Sequence, residues 1–166
     1  MNTPKPIKTD GGGFEALKPA VLSLVNNYPA LNGRVITFQG LSEDSGISIE
    51  PESGALVYFE RTDLLGNVRQ ICQFPFFVVY RSGASSEYQK LGITEFLDNL
   101  GAWLCREPII INQHLYQLTE YPSLADGRQI TKVDRFNSYA IAPNENNTQD
   151  WLIPITVHYT HEFKKG

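Results

Sequence analysis

The sequence ALVYFERTDLLGNVRQICQFPFFVVYRSG, residues 55–83, decides the fold, together with ITEFLDNLGAWL at residues 93–104. Residues 56–61 and 68–80 are rich in Val, Ile, Phe and Tyr, which are enriched in β-strands. Between these two runs, residues 62–67 contain an Asp and a Gly-Asn pair, which accept turn geometry. The stretch therefore predicts a long β-hairpin.

An amphipathic helix follows this hairpin. Its apolar residues recur at the i, i+3, i+4, i+7 spacing of a single helix face, and they are Ile93, Phe96, Leu97, Leu100, Trp103 and Leu104. The helix begins at Ser86 or at Thr94, because a Gly inside a helix, here Gly92, costs about 1 kcal/mol relative to Ala. A hairpin with an apolar face and a helix able to cover it predict an α-on-β core.

The rest of the chain adds one helix and several short strands. An apolar stripe predicts a first helix over residues 14–28, with its regular part beginning near Lys18 because Pro19 interrupts the hydrogen bonding. Strands are predicted at residues 35–39, at 47–49 as an edge strand, and at 130–133, 139–142 and 151–163, while residues 109–111 and 114–118 are expected to form short strands or turns. We therefore predict an α+β fold, mainly an antiparallel sheet with a long central hairpin, covered on one face by two helices.

Length and composition bound the organisation of the chain. Its 166 residues, 42% apolar with a net charge of −4, predict one domain over residues 14–166. Residues 1–13, with two prolines and a Gly triplet, are expected to form a flexible N-terminal arm. The net negative charge argues against nucleic-acid binding through a broad basic face. Apolar runs far shorter than about 20 residues predict no membrane span, and the absence of an apolar leader predicts a cytoplasmic protein.

The second hairpin strand contains more apolar residues than one buried face of a sheet requires. Residues 74–80 (FPFFVVY) are apolar on both faces of the predicted strand. Because one helical layer covers only one face of a sheet, the other face must meet a loop or another subunit. Pro75 lacks an N–H donor, so we expect it at a bulge or on the unpaired side of an edge.

Residue patterns that carry chemistry are weak. His158 and His161 lie three apart in a predicted strand, so their imidazoles point to opposite faces and do not converge on a metal. Cys72 and Cys105 lie in apolar surroundings, where a buried reduced thiol is the ordinary state. We predict no catalytic residue, no cofactor and no metal site.

Three arginines flank the predicted hairpin: Arg61, Arg69 and Arg81. Basic residues interleaved with aromatics also occur on single-strand nucleic-acid platforms. The net negative charge favours a different role, in which these charges prevent sheet edges from pairing with each other. We therefore expect no sequence-specific contact with nucleic acid.

The order helix, strand, long hairpin, helix and β-rich tail resembles that of tail terminator (tail-completion) proteins of long-tailed bacteriophages and phage-tail-like bacteriocins. The segments that carry the resemblance are residues 76–81 (FFVVYR), 93–100 (ITEFLDNL) and 150–159 (DWLIPITVHY), within a likeness that spans residues 14–163. The resemblance implies a six-fold ring at the head-proximal end of the tail tube. Such a ring ends polymerisation of the tube, and of the sheath if present, and docks the neck.

The resemblance also implies partners and a location. The partners are further copies of the chain, the tail tube protein, and the sheath and neck or connector proteins; the location is the host cytoplasm during assembly and then the virion or tail-like particle. From the unexplained apolar face of the hairpin we predict a subunit interface formed by Phe59, Arg61, Arg69, Phe76, Val78 and Tyr80.

Two other functions stay open at this point. A small cytoplasmic α+β adaptor or ligand-binding domain would contain an apolar pocket of several hundred Å3 (roughly 300–1,000 Å3) with a few convergent polar groups. An enzyme would bring two or more titratable groups together in one cleft.

Overall fold

A computed structural model describes residues 4–83 and 86–166. In these ranges two helices, α1 (Gly13–Asn26) and α2 (Glu87–Leu104), accompany ten strands. The strands are β1 (Lys8–Thr9), β2 (Ile36–Phe38), β3 (Gly46–Pro51), β4 (Leu56–Thr62), β5 (Asn67–Ser82), β6 (Ile109–Ile111), β7 (His114–Tyr116), β8 (Arg128–Arg135), β9 (Tyr139–Ala140) and β10 (Gln149–Lys164). The predicted α+β class, its central hairpin β4–β5 and its second helix are confirmed.

The sheet is built around one long ladder. Strands β5 and β10 pair antiparallel along their whole length, from Asn67 opposite Lys164 to Ser82 opposite Gln149. The central path runs β1-β4-β5-β10-β8, while β3 also pairs with β5 and β9 pairs with β10. Strand β2 pairs in parallel with β3, so β3 lies between β2 and β5. The prediction that residues 47–49 form an edge strand is therefore wrong.

Two prolines sit inside the long strands without breaking the sheet. The carbonyl of Pro75 accepts from the N–H of Glu52, between the segments of β5 that pair with β4 and with β3. In the same way, the carbonyl of Pro154 accepts from Phe136, between the pairings of β10 with β8 and with β9. The nitrogen and the carbonyl of a strand residue point to the same side. The nitrogen of each proline, which carries no hydrogen to donate, therefore faces a gap between two neighbouring strands. Pro75 thus lies neither at a bulge of β5 nor on a sheet edge.

Both helices cover the same face of the sheet. Helix α1 buries Leu17, Val21, Leu24 and Val25, and α2 buries the apolar stripe that the sequence predicts. Helix α2 begins after Ser86, whose side chain accepts from the N–H of Gln89 in a capping box. It packs tightly on the sheet at Gly101, where an added Cβ would come within 2.6 Å of the Ile153 side chain.

Helix α1 begins earlier than predicted. It starts at Gly13 and contains Pro19 in its interior, so the expected regular start near Lys18 is wrong. Pro19 is exposed, and the carbonyl of Glu15, left without its i+4 donor, belongs to a residue on the solvent side. Water can satisfy that carbonyl, which lets the helix continue through the proline.

The N-terminal segment is docked rather than free. Strand β1 pairs with β4, with Lys8 opposite Val57, and the Asp10 N–H donates to the carbonyl of Ala55 at 2.9 Å. Asp10 itself is buried. The prediction of a flexible arm is therefore wrong for residues 8–13. A buried ion pair between Asp10 and Arg128 holds this segment on the sheet, and the composition of the segment gives no sign of it. Residues 1–3 of the predicted arm lie outside the described residues.

Candidate interaction surface

The two faces of the β5–β10 ladder differ in what covers them. Even-numbered residues of β5 such as Phe74 and odd-numbered residues of β10 such as Ile155 face the helices and form the core. The opposite face carries Phe77, Val79 and Pro154, with no helix above them. We call this second side the outer face. The loop after β2 covers one end of this face, where the Gly40 N–H donates to the Ser48 hydroxyl at 3.2 Å and Val79, opposite Ser48, is only 8% exposed.

The outer face grows more exposed toward the β4–β5 turn. Phe59 and Ile71 lie opposite each other there and are 53% and 42% exposed. Polar contacts border this apolar surface: the ion pair of Arg69 with Glu162 at 2.7 Å and the contact of the His158 imidazole with the Asp134 carboxylate at 2.8 Å. An apolar patch rimmed by charged groups is typical of a protein–protein contact surface.

The predicted interface residues divide between the two faces. By register, Phe59, Arg61 and Arg69 lie on the outer face, with the two arginines directly opposite each other. Phe76 and Val78 are buried in the core, which excludes them from a contact between subunits and corrects the prediction. Tyr80 also faces inward: its ring packs edge-on against Phe96 at 5.4 Å. The physical reason is strand alternation, because neighbouring apolar residues of β5 serve opposite faces.

The turn between β4 and β5 presents two leucines that the sequence reasoning missed. Leu64 is fully exposed and Leu65 is 75% exposed. We call residues 63–67 the hairpin tip. The sequence does mark this site, because two adjacent leucines lie inside a predicted turn. Core packing does not require apolar side chains in a turn, so they indicate a contact surface.

A buried polar cluster holds the N-terminal segment against the sheet. The Arg128 guanidinium donates to both Asp10 carboxylate oxygens, at 2.7 and 3.0 Å, and the Tyr159 hydroxyl donates to Asp10 at 2.6 Å. His161 Nδ1 lies 3.0 Å from Gln70 Oε1 and 3.8 Å from Asp10 Oδ1. The cluster thus joins the segment before α1 to β5, β8 and β10.

Electrostatics in this cluster favour the ion pair. Burial alone would raise the pKa of Asp10, but the hydrogen bonds from Arg128 and Tyr159 outweigh it, so the Asp10 pKa lies below its ordinary value. Burial lowers the pKa of His161, and the nearby Arg128 lowers it further. On the outer face, burial lowers the pKa of His158 despite its contact with Asp134. The two imidazoles lie on opposite faces, as predicted.

These histidines predict a pH dependence of stability. A histidine with a lowered pKa in the folded state binds protons more readily when unfolded, so stability is full above the ordinary pKa of about 6.5 and falls as the pH drops below it. We expect urea denaturation between pH 7.5 and 5 to show this loss, and the double variant His158→Gln/His161→Gln to show less of it. An equally steep pH dependence in the variant would contradict the assignment.

The cysteines are poor nucleophiles. Both are unpaired thiols. Burial raises the pKa of Cys72 to about 11 and that of Cys105 to about 11, so both stay protonated near neutral pH. Within residues 4–83 and 86–166, no three His, Cys, Asp or Glu side chains are grouped to hold a metal ion. No helix of the same ranges is long and apolar enough to cross a membrane.

Comparison with known proteins gives a fold and no family. No protein-family model and no curated protein matches the sequence. Solved structures do match, among them a chain described as "Virion of native gene transfer agent (GTA) particle", at 13% identity and a TM-score of 0.51. The match covers 91% of this chain and 99% of that chain. This chain is thus similar in fold, over nearly its whole length, to a protein of a gene transfer agent virion.

Proposed function

We propose that this chain is a structural subunit of a phage-tail-like particle and, within it, the tail terminator. The observation that carries the proposal is the fold likeness to a chain of a gene transfer agent virion, which spans 91% of this chain and 99% of that one. The order of elements also agrees with the resemblance to tail terminators that the sequence shows.

The proposed mechanism is geometric. Six copies form a ring at the head-proximal end of the tail tube, because a head-to-tail interface related by a closing rotation gives a ring rather than a filament. The ring ends growth of the tube, and of the sheath if present, and docks the neck. Assembly takes place in the host cytoplasm, and the ring then remains in the particle.

The outer face supports a contact with another protein. It keeps Phe59 and Ile71 exposed beside the ion pair of Arg69 with Glu162. On a monomer this apolar surface would remain exposed to solvent, whereas a neighbouring copy or the tube protein would bury it. In this mechanism the chain acts by shape and by its contacts.

Deletion of the gene in a host that makes the particle tests the function. We expect tail tubes of variable and excessive length that lack heads, seen by negative-stain electron microscopy, because nothing ends polymerisation. Tails of normal length joined to heads would contradict the proposal.

Complementation tests the surface. We expect Ile71→Asp, on the outer face, to fail to restore normal tails although the protein folds. Tyr88→Asp is the matched control, since Tyr88 is also an exposed apolar residue but lies on α2, and we expect it to restore them. Restoration by both variants would exclude the outer face as a contact.

A further inference from the structure

The hairpin tip is built as a rigid apolar projection. The Asp63 carboxylate accepts from the N–H groups of Leu65 and Asn67 and from the Asn67 side chain, each at 2.9 Å. The N–H of Lys165 donates to the carbonyl of Gly66 at 2.8 Å, so the end of β10 supports the turn. Because the turn is already ordered, Leu64 and Leu65 can enter a partner without a further entropic cost of ordering the loop.

Basic residues surround the hairpin tip. Arg61 and Lys164 line the surface cleft beside it, and Lys165 follows β10. Arg69 lies there too, but Glu162 neutralises it at 2.7 Å. The Asp63 carboxylate offsets part of this charge, and Arg61, Lys164 and Lys165 together leave the residues around the tip with a net positive charge.

The opposite end of β5 is acidic. Glu43 and Asp44 lie in the loop between β2 and β3, and Glu145 lies in the turn between β9 and β10. The two loops touch, since the Asn146 side chain donates to the carbonyl of Glu43 at 2.9 Å. At this end the charge of Arg81 is neutralised by Asp150 at 2.7 Å.

An open cleft lies beside these acidic loops. It has a volume of about 340 Å3, and its lining mixes apolar, polar and charged residues: Arg34, Val35, Ser45, Gly46, Ile47, Tyr80, Arg81 and Ser82. Val35 is 66% exposed there. The Arg34 guanidinium lies on the Phe96 ring at 4.5 Å and donates to the Tyr80 hydroxyl at 2.9 Å, so it forms part of the wall.

The hairpin tip cannot reach the cleft of its own molecule. Strand β5 has 16 residues, which at about 3.3 Å per residue separates its two ends by roughly 50 Å. A contact between the two ends therefore joins different copies head to tail. It is heterologous, so repetition gives a ring when the rotation closes.

We propose that Leu64 and Leu65 of one copy insert into the Arg34–Val35–Tyr80 cleft of the next copy, with the basic tip facing the acidic loops. The proposal rests on the proposed function, for which it supplies the contact that closes the ring. Charge complementarity between the basic tip and the acidic loops selects a second copy of this chain as the occupant, with Val35, 66% exposed, as the apolar contact for the two leucines.

Cross-linking tests the contact directly. Leu64→Cys and Val35→Cys are made singly and together in a Cys105→Ser background, with Cys72 retained because it is buried, and treated with a short bismaleimide at the highest soluble concentration. We expect a ladder of covalent oligomers from the double variant, and dimers from a mixture of the two single variants. Each single variant alone should stay uncross-linked. Absence of 64–35 cross-links, or dimers of Leu64→Cys alone, would overturn the proposal.

Charge exchange provides a second test. Arg61→Glu/Lys164→Glu and Glu43→Lys/Asp44→Lys are each expected to weaken self-association at least tenfold in sedimentation velocity, while the quadruple variant regains it. Lys90→Ala, on α2, is the control that leaves it unchanged. Thermal melting by circular dichroism checks that each variant folds. No regain in the folded quadruple variant would overturn the pairing of the two ends.

The outcomes separate this contact from the proposed function. Rings seen by electron microscopy without 64–35 cross-links would reject the contact and leave the tail terminator role intact. Normal tail length after gene deletion would reject that role, whatever the cross-linking shows.

Discussion

Replacing Asp10 with alanine is expected to lower the free energy of unfolding by about 3–5 kcal/mol, because the change leaves the buried Arg128 guanidinium without its counter-charge. The side chains of Asp10 and Arg128 are 3% and 4% exposed, so water cannot replace the lost partner. Tyr159 loses its acceptor in the same variant. Urea denaturation followed by circular dichroism at pH 7 measures the loss.

A surface ion pair of the same length is the matched control. Arg69 and Glu162 also approach to 2.7 Å, but each side chain is 58% exposed, so Arg69→Ala should cost at most about 1 kcal/mol. The double variant Asp10→Leu/Arg128→Met, which removes both buried charges, should regain much of the stability. Equal losses for Asp10→Ala and Arg69→Ala would contradict the account.

The same variant should release the N-terminal segment. Asp10 lies directly after β1, which pairs with β4 over only two residues, and such a short pairing depends on its neighbours. In limited trypsin digestion of Asp10→Ala under native conditions, we expect faster cleavage at Lys8 than in the unmodified protein.

Replacing Phe76 with alanine is expected to cost about 3–5 kcal/mol of unfolding free energy, since truncating a buried phenylalanine leaves a cavity in the core. Phe76 is 2% exposed and packs beside Phe74, with ring centroids 5.6 Å apart. Phe59→Ala, on the outer face, should cost less than about 1 kcal/mol. Phe59→Ala should instead weaken self-association, measured by sedimentation velocity. Similar stability losses for both variants would show that the outer face is also part of the core.

The sequence predicts the central elements well because their signals are local. The composition of residues 68–80 is enough to predict a strand, and the spacing of Ile93, Phe96 and Leu97 is enough to predict a helix. The position of β3 inside the sheet could not be predicted, because it depends on a parallel pairing with β2 that no local pattern marks. The docking of the N-terminal segment depends likewise on Arg128, 118 residues from Asp10 in the chain.

The interaction surface was only partly predictable. On a strand that is apolar on both faces, alternation separates Phe76 from Phe77 without saying which of the two meets the helices. The residues farther along β5 carry that information, because Arg69 and Arg81 share the parity of Phe77. The exposed Leu64 and Leu65 were visible in the sequence, but only the structure shows them at a rigid turn far from the helices.

The placement of β10 has a consequence for biosynthesis. Although it occupies residues 149–164, this strand lies between β5 and β8 in the middle of the sheet. Every nascent chain shorter than this leaves the inner edge of β5 unpaired and its apolar residues uncovered, a state prone to aggregation. The domain must therefore complete its sheet after residue 164 has left the ribosome, so we expect folding in the cell to follow synthesis of β10 rather than to accompany synthesis of β5.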